Sequence, residues 1–164
     1  MKVDPFEALD LLPQPLVIVT AGEPDKPGAR GGMTAAWVSR VSWDPPMLVV
    51  AMTPARYTLQ LIKEKGCFAV NVVGKSLEKE AYGVFGSVSG REVDKFEKSG
   101  VKVVKAECIT APVLAEAVVA LECRLEKLVE AGDHVLVVGR VVCAQKLKDE
   151  KPLVFLQFRS AELK

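Results

Sequence analysis

The sequence is poor in the residues from which most metal sites and hydrolytic triads are built. It has one histidine among 164 residues, and its four cysteines (Cys67, Cys108, Cys123, Cys143) form no Cys-x-x-Cys pair. These counts argue against a Cys/His zinc site and against a catalytic triad of the usual kind, although they leave a Cys₄ site open. We predict free structural thiols, because a buried thiol in a strand behaves as a small apolar residue.

Several nucleotide-binding and hydrolase motifs are also missing. No Gly-x-Gly-x-x-Gly turn opens a helix, no Gly-x-Ser-x-Gly elbow is present, and there is no P-loop lysine. The sequence therefore argues against a Rossmann nucleotide site, an α/β-hydrolase nucleophile and a P-loop.

An excess of charge of either sign is absent as well. Lysine and arginine total 22 and aspartate and glutamate 21, for a net charge of +1. This balance gives no reason to expect a nucleic-acid or membrane-surface partner. No apolar run approaches the roughly 20 residues that span a bilayer. The first seven residues lack the apolar core of a signal peptide, so we expect a cytoplasmic protein.

Hydrophobic residues are abundant, at 49% of the chain, and many of them are valines, which favours β structure. The length fits one domain, residues 1–164. Short strands joined by tight turns, with too few helices to cover each crossover, predict a mainly β fold: a closed antiparallel barrel with a few peripheral helices.

Local patterns place the elements of this barrel. Proline and glycine signals predict helices at 4–11, 56–65 and 76–85, with a single helical turn at 94–98. Apolar runs and period-two alternation predict strands at 16–21, 33–43, 47–52, 67–73, 113–128, 134–145 and 153–158. The turn at 131–133 joins the two longest strands into a hairpin.

The stretch 31–46 does not alternate cleanly between apolar and polar residues. Small residues at 34–36 leave room for a flat ligand near the backbone, and Thr34, Ser39 and Ser42 add hydroxyl groups. An ordinary sheet strand with solvated serines fits the composition equally well.

The run from Met33 to Pro46 resembles the signature strand of the flavin reductase-like, FMN-binding split-barrel proteins. Further matching pieces follow in order: Arg56-Tyr57-Thr58, residues 66–72, Ser89-Gly90-Arg91, Asp94-Lys95-Phe96, and Gly132-Asp133-His134 leading to Gly139. The resemblance covers nearly the whole chain and implies a Greek-key split barrel. In one departure, Gly31-Gly32 stand where many relatives have asparagine.

The resemblance also implies an activity. It suggests a homodimeric, FMN-binding oxidoreductase in which NADH or NADPH reduces the flavin and electrons pass to free flavin, a ferric chelate or a protein. Such chemistry resides in the cofactors, so no separate set of catalytic residues is expected. Two alternatives stay open: a non-catalytic FMN electron carrier, and a barrel module that binds another ligand or partner without flavin.

Carried over residue by residue, the resemblance implies a binding site. The flavin is expected along Met33, Thr34, Ala35, Ala36, Trp37, Val38 and Ser39, and its phosphate near Arg56, Tyr57 and Thr58. Arg91 and Lys95 are expected near flavin or dinucleotide phosphates, Phe85 or Phe96 over a ring face, and His134 beside the nicotinamide. Each has a plainer interpretation: a capped helix with a solvated arginine, a charged surface turn, a packed aromatic and a solvated turn histidine.

Overall fold

The computed structural model describes residues 1–164 as a mainly β fold with few helices, which confirms the predicted class. The helices are α1 (Pro5–Leu9), α2 (Tyr57–Lys65), α3 (Glu78–Glu80) and α4 (Lys95–Ser99). A 3₁₀ turn (Lys75–Leu77) and a π turn (Ala81–Phe85) flank α3. None of the helices reaches the length and hydrophobicity that crossing a bilayer would take.

The strands form one large antiparallel sheet and two small ones. They are β1 (Gln14–Pro15), β2 (Val17–Gly22), β3 (Arg30–Ala35), β4 (Val38–Ser42), β5 (Met47–Met52), β6 (Cys67–Val72), β7 (Val103–Val104), β8 (Val113–Leu114), β9 (Val119–Ala131), β10 (His134–Lys146), β11 (Leu153–Leu156) and β12 (Arg159–Glu162). The large sheet has the order β3-β2-β6-β9-β10-β5-β4, while β1-β11-β12 and β7-β8 pair separately.

The predicted strand 33–43 is wrong as a single strand. Its halves, β3 and β4, lie at opposite edges of the large sheet, yet only Ala36 and Trp37 separate them in the chain. The sheet must therefore curl until its two edges meet, which makes it a split barrel. The corner is fixed by hydrogen bonds: Val38 N–H donates to the Ala36 carbonyl at 3.0 Å, and Ala51 N–H donates to the Trp37 carbonyl at 2.9 Å.

The barrel core and an outer layer meet at β6, which is buried on both faces. Phe68 and Val70 belong to the barrel interior, whereas Ala69 packs under residues 106–113. A second cluster lies between β2 and the helical segments 75–85 and 95–99, so core packing sets the position of α4 against the barrel.

Most predicted elements are present with shifted bounds. The β9–β10 hairpin is confirmed, and α2 ends as predicted at Gly66, whose φ of +67° suits glycine. The predicted helix 76–85 is instead three short helical turns of different pitch. The predicted last strand ends at Leu156, and a hairpin turn to β12 follows it.

A buried carboxylate and a disulfide hold residues 105–110 on β9 and β10. Glu122 is fully buried, and its oxygens accept hydrogen bonds from the backbone N–H groups of Glu107 (2.9 and 3.1 Å) and Cys108 (2.7 Å) and from Gln145 (2.7 Å). Burial alone would raise the pKa of Glu122, but these hydrogen bonds outweigh it and leave that pKa below its usual range.

The prediction of four free thiols is wrong for two of them. Cys108 and Cys143 form a disulfide with their Cα atoms 6.1 Å apart, whereas Cys67 and Cys123 are free and buried. Sequence spacing could not reveal the pair, because only the β9–β10 register, in which Cys143 lies opposite Glu122, brings these cysteines together. The two sulfurs and the Glu122 carboxylate lie within 4.8 Å of one another, but all three are already bonded within the chain.

Candidate functional site

A polar cleft of about 280 Å³ opens between β3, the start of α2 and the loop at 86–91. Its lining carries three charged side chains, Arg56, Arg91 and Lys95, and no acidic group. It brings together six of the residues predicted for flavin binding: Met33, Arg56, Tyr57, Thr58, Arg91 and Lys95. Positive charge without a neighbouring carboxylate makes this cleft suited to an anion.

The start of α2 supplies the first part of this anion site. Arg56 is the N-cap residue, and no side chain caps the helix. The free backbone N–H groups at the start of α2 and the positive end of the helix dipole therefore face the cleft. The exposed guanidinium of Arg56 makes no hydrogen bond within the chain, so its donors are available to a ligand.

Lys95 supplies a buried cation at the base of the cleft. Its side chain is 5% exposed, and Nζ donates to the carbonyls of Gly32 (2.7 Å) and Phe85 (2.9 Å). An ammonium has three N–H donors, so one is left over. Desolvation, with a smaller contribution from the charge of Arg56, lowers the pKa of Lys95 to about 8. A bound anion would offset this unfavourable environment.

Arg91 fastens the glycine-rich loop at 86–91 over the helix start. Its guanidinium donates to the Ala55 carbonyl (3.0 Å) and to Gln60 Oε1 (3.1 Å), and it lies 5.2 Å from the centre of the Tyr57 ring. A Cβ on Gly90 would lie 3.0 Å from Tyr57, so glycine permits this close approach. The Tyr57 hydroxyl in turn donates to the Gly28 carbonyl at 2.7 Å.

An ion pair outside the cleft positions Lys95. Asp94 caps α4 by accepting from the N–H groups of Phe96 (2.9 Å) and Glu97 (3.1 Å), and it bonds Arg30 Nε at 2.9 Å. Burial raises the pKa of Asp94, but Arg30 and the two amides more than compensate, so the pKa lies below its usual range. The Asp94 carboxylate is therefore already bonded to Arg30 and to the start of α4. Lys95 is left without an acidic partner.

Other predicted site residues lie along or beyond the cleft. The Thr34 hydroxyl donates to the Ala81 carbonyl, Ala35 is buried, and Ala36 is half-buried at the corner. Val38 and Ser39 line a separate, mostly apolar cavity of about 390 Å³ between β4 and β6. The predicted ligand strand therefore passes from the polar cleft around the corner, and no single cavity holds all of it.

Trp37 and His134 form a pair at the corner. Their ring centroids are 4.6 Å apart, and the Trp37 side chain is 55% exposed. The Nδ1 atom of His134 lies 2.6 Å from Asp133 Oδ1, a hydrogen bond that lowers the pKa of that carboxyl. The other ring nitrogen, Nε2, has no hydrogen-bond partner in the chain and remains available.

The prediction that Phe85 or Phe96 covers a ligand ring is not supported by their positions. Both side chains are buried in the core, at 1% and 3% exposure, and pack edge to face at 5.4 Å. The reason lies at Gly32, where a Cβ would come within 2.8 Å of the Phe85 ring. Gly32 thus leaves space that the Phe85 ring occupies from the core side, and Phe85 contributes to the site only its carbonyl, which accepts from Lys95 Nζ.

Several lining residues were not among the predicted site residues. They are Gly32, Gly86, Ser87 and Val88. The glycine and serine content of 86–90 signals a loop, but only the fold shows that this loop covers the start of α2.

A family model described as "flavin reductase like domain" matches residues 9–164. The chain belongs to this family. It is 39% identical over 148 residues to an uncharacterized protein of Aeropyrum pernix. The aligned region covers 88% of this chain and 54% of that protein. The chain thus spans about half the length of that relative.

Two solved structures show the same split-barrel fold. The NADH:FAD oxidoreductase of Streptomyces globisporus superposes with a TM-score of 0.86 and 28% identity, covering 100% of this chain and 98% of that one. The flavoredoxin of Desulfovibrio vulgaris (Miyazaki F) gives a TM-score of 0.85 and 25% identity, covering 100% of this chain and 94% of that one.

Proposed function

We propose that this protein binds FMN and catalyses its reduction by NADH or NADPH, with electrons passing on to free flavin, a ferric chelate or a protein. The observation that carries the proposal is the cleft in which Arg56, Lys95 and the uncapped start of α2 present unused donors to one volume. An FMN phosphate is nearly a dianion at neutral pH, and these are the donors it requires.

The residues that line the cleft are chemically suited to bind FMN. Arg56, Thr58 and Lys95 would hold the phosphate, and the residues of β3 from Met33 towards the corner at Trp37 would hold the ring system. When bound, the flavin supplies the hydride-accepting chemistry. Arg91 keeps the 86–91 loop closed over the helix start.

His134 is proposed to orient the nicotinamide. Its free Nε2 is at the corner that follows β3, next to Trp37. Asp133 holds the ring in place through the hydrogen bond to Nδ1. A ring nitrogen in this position contributes one hydrogen bond and a steric boundary, and needs neither metal nor proton transfer.

Two further parts of the proposal concern assembly and compartment. Large apolar side chains are exposed on β4 and directly after it (Val41, Trp43) and on the β9–β10 hairpin (Leu128, Val129), and we assign these side chains to a homodimer interface. Light scattering of the flavin-bound protein should give twice the monomer mass. A Trp43→Glu variant should shift it towards monomer. The cytoplasm remains the predicted compartment.

Anaerobic absorbance spectra of the FMN-loaded protein test the activity. Added NADH or NADPH should bleach the flavin absorbance rapidly, and readmitted oxygen, a ferric chelate or free flavin should restore it. Flavin that binds but is not bleached would indicate the electron carrier instead. Failure to bind any flavin would indicate the flavin-free module.

A further inference from the structure

Two sulfurs and a carboxylate form a cluster on the outer face of β9 and β10. The Sγ atoms of Cys108 and Cys143 and a carboxylate oxygen of Glu122 lie within 4.8 Å of one another. A zinc ion bound to all three would hold these atoms roughly 3.5–4 Å apart. The Cα atoms of the two cysteines are 6.1 Å apart, so rotation of the side chains can reach that spacing once the sulfurs are separate.

A bulge in β10 directs Cys143 to this cluster. Val141 lies opposite Cys123 and packs against the barrel core, whereas Cys143 lies opposite Glu122, and the register shift between them leaves Val142 unpaired. In an uninterrupted strand, residues 141 and 143 would point to the same face, into the barrel. Bulges re-aim side chains in this way and are over-represented next to functional sites.

Glu122 can bind a metal without leaving a buried donor unpaired. The N–H group of Glu107 is shared between its two oxygens, at 2.9 Å from Oε1 and 3.1 Å from Oε2, while Cys108 N–H donates to Oε2 at 2.7 Å. Oε2 can therefore exchange the longer contact for a metal, because Glu107 keeps its bond to Oε1. Carboxylates that ligate metals are themselves held by hydrogen bonds of this kind.

The surroundings of the cluster suit a bound divalent cation. Two thiolates and a carboxylate carry three negative charges, so a divalent metal leaves one, and Arg124 offsets it by donating to the Cys108 carbonyl at 3.3 Å. Cys108 and Arg124 also line a surface depression of about 490 Å³, through which a metal and a water can enter. None of the cluster residues lines the cleft of Arg56 and Lys95.

We propose that the reduced form of Cys108 and Cys143, together with Glu122, binds a zinc ion with water as the fourth ligand, and that the disulfide is the alternative, metal-free state. A dithiol reductant supplies two electrons and two protons, breaks the S–S bond and gives two thiols, and the metal then displaces both protons. Thiolate ligands favour Zn²⁺ over Mg²⁺ and Ca²⁺. Disulfides are rare in the cytoplasm, the predicted compartment, so the dithiol is the form expected there.

Cobalt(II) tests the site in the FMN-loaded protein. A phosphine and water reduce the disulfide to two thiols and give the phosphine oxide, and the excess phosphine is then removed under nitrogen. The reduced protein should bind about one Co²⁺ per chain and show tetrahedral cobalt absorption at wavelengths longer than those of the flavin. Zn²⁺ should displace it. The disulfide form of the same chain is the control and should bind neither metal.

Stability gives a second readout. Zn²⁺ at 100 times its dissociation constant should favour the folded form of the reduced protein about 100-fold, which raises the urea midpoint that reduction lowers. FMN affinity should not change. A urea midpoint of the reduced protein that does not respond to Zn²⁺ would contradict the site.

Variants identify the ligands. Glu122→Gln should weaken Co²⁺ binding by at least about tenfold, and Cys143→Ser should abolish it. Cys67→Ser is the matched control, because Cys67 lines the same depression but its thiol donates to the Thr110 carbonyl at 3.4 Å. Absence of metal binding to the reduced protein, equal binding by the disulfide form, or loss of binding in Cys67→Ser would overturn the proposal.

Discussion

Two buried charges, Lys95 and Glu122, are treated in opposite ways by the fold. Every oxygen of Glu122 is engaged by donors from the chain, and its pKa is lowered, so the charged form is favoured. Lys95 has two carbonyl acceptors, a donor left over, no acidic partner and a pKa lowered to about 8, so its charge is disfavoured. A buried charge that is fully satisfied holds structure, whereas one left short of partners is prepared for a ligand.

The largest effect is expected at Glu122. Glu122→Ala leaves the buried N–H groups of Glu107 and Cys108 without acceptors, at about 1–3 kcal/mol each, so the free energy of unfolding should fall by roughly 2–6 kcal/mol. Urea unfolding measures this loss. FMN affinity of the folded protein should be unchanged. A Glu122 variant that loses FMN binding but keeps its stability would contradict the assignment of Glu122 to the fold and of Lys95 to the ligand.

The same carboxylate makes stability depend on acid. Because the pKa of Glu122 is lower in the folded than in the unfolded state, its contribution is complete above the ordinary glutamate pKa of about 4.3. The contribution is lost as the pH falls through the folded-state value. Glu122→Gln should therefore unfold with a flatter pH dependence below about pH 4 than the wild type.

The disulfide belongs to the same structural region and should behave in the same way. Its cysteines are 35 residues apart, and closing a loop of that length stabilises a fold by about 3–4 kcal/mol in the chain-entropy description. Reduction, or Cys108→Ser with Cys143→Ser, should lower the urea midpoint and leave FMN affinity alone. The free, buried Cys67 provides a control, since Cys67→Ser removes no cross-link.

A smaller effect is expected at Lys95, as a pH dependence of FMN affinity. Lys95 is charged below about pH 8 and increasingly neutral above it, and a bound phosphate favours the charged form, so FMN binding takes up a proton there. FMN affinity should fall by up to about fivefold between pH 8 and 9. Riboflavin lacks the phosphate and should show no comparable change. Titration of both flavins between pH 7 and 9 checks this, and parallel curves would remove Lys95 from the phosphate site.

The smallest effect is expected at His134. Loss of one hydrogen bond to the nicotinamide costs about 1 kcal/mol, or about fivefold in the KM for NADH. His134→Ala should show this change with FMN affinity intact, and His134→Gln, which keeps a side chain able to form a hydrogen bond, should show less of it. Stopped-flow reduction identical to the wild type would leave His134 as a turn residue.

Local patterns predicted the elements well but not the places where distant parts of the chain meet. Gly132-Asp133 and period-two alternation predicted the β9–β10 hairpin, and Gly66 predicted the end of α2. The corner at Trp37 could not be read locally, because it depends on closing the two edges of the sheet.

In the candidate site too, residues in local motifs could be predicted, whereas contacts between distant parts of the chain could not. The motif order implied Arg56, Thr58 and Lys95, which the fold does bring to one cleft. Phe85 was misplaced because the space left by Gly32 exists only after β3 packs against the π turn. Side chains that act through short, ordered motifs can be predicted, whereas packing partners far apart in the chain require the three-dimensional structure.

The most direct measurement is a fluorescence titration of wild type and Arg56→Ala with FMN and with riboflavin. Charge-assisted hydrogen bonds contribute about 1.5–3 kcal/mol, so Arg56→Ala should weaken FMN by roughly one to two orders of magnitude and leave riboflavin nearly unchanged. Arg140→Ala serves as the control, because that exposed arginine pairs with Glu126 outside the cleft. Equal loss for both ligands, or no loss for either, would contradict a flavin phosphate site at the start of α2.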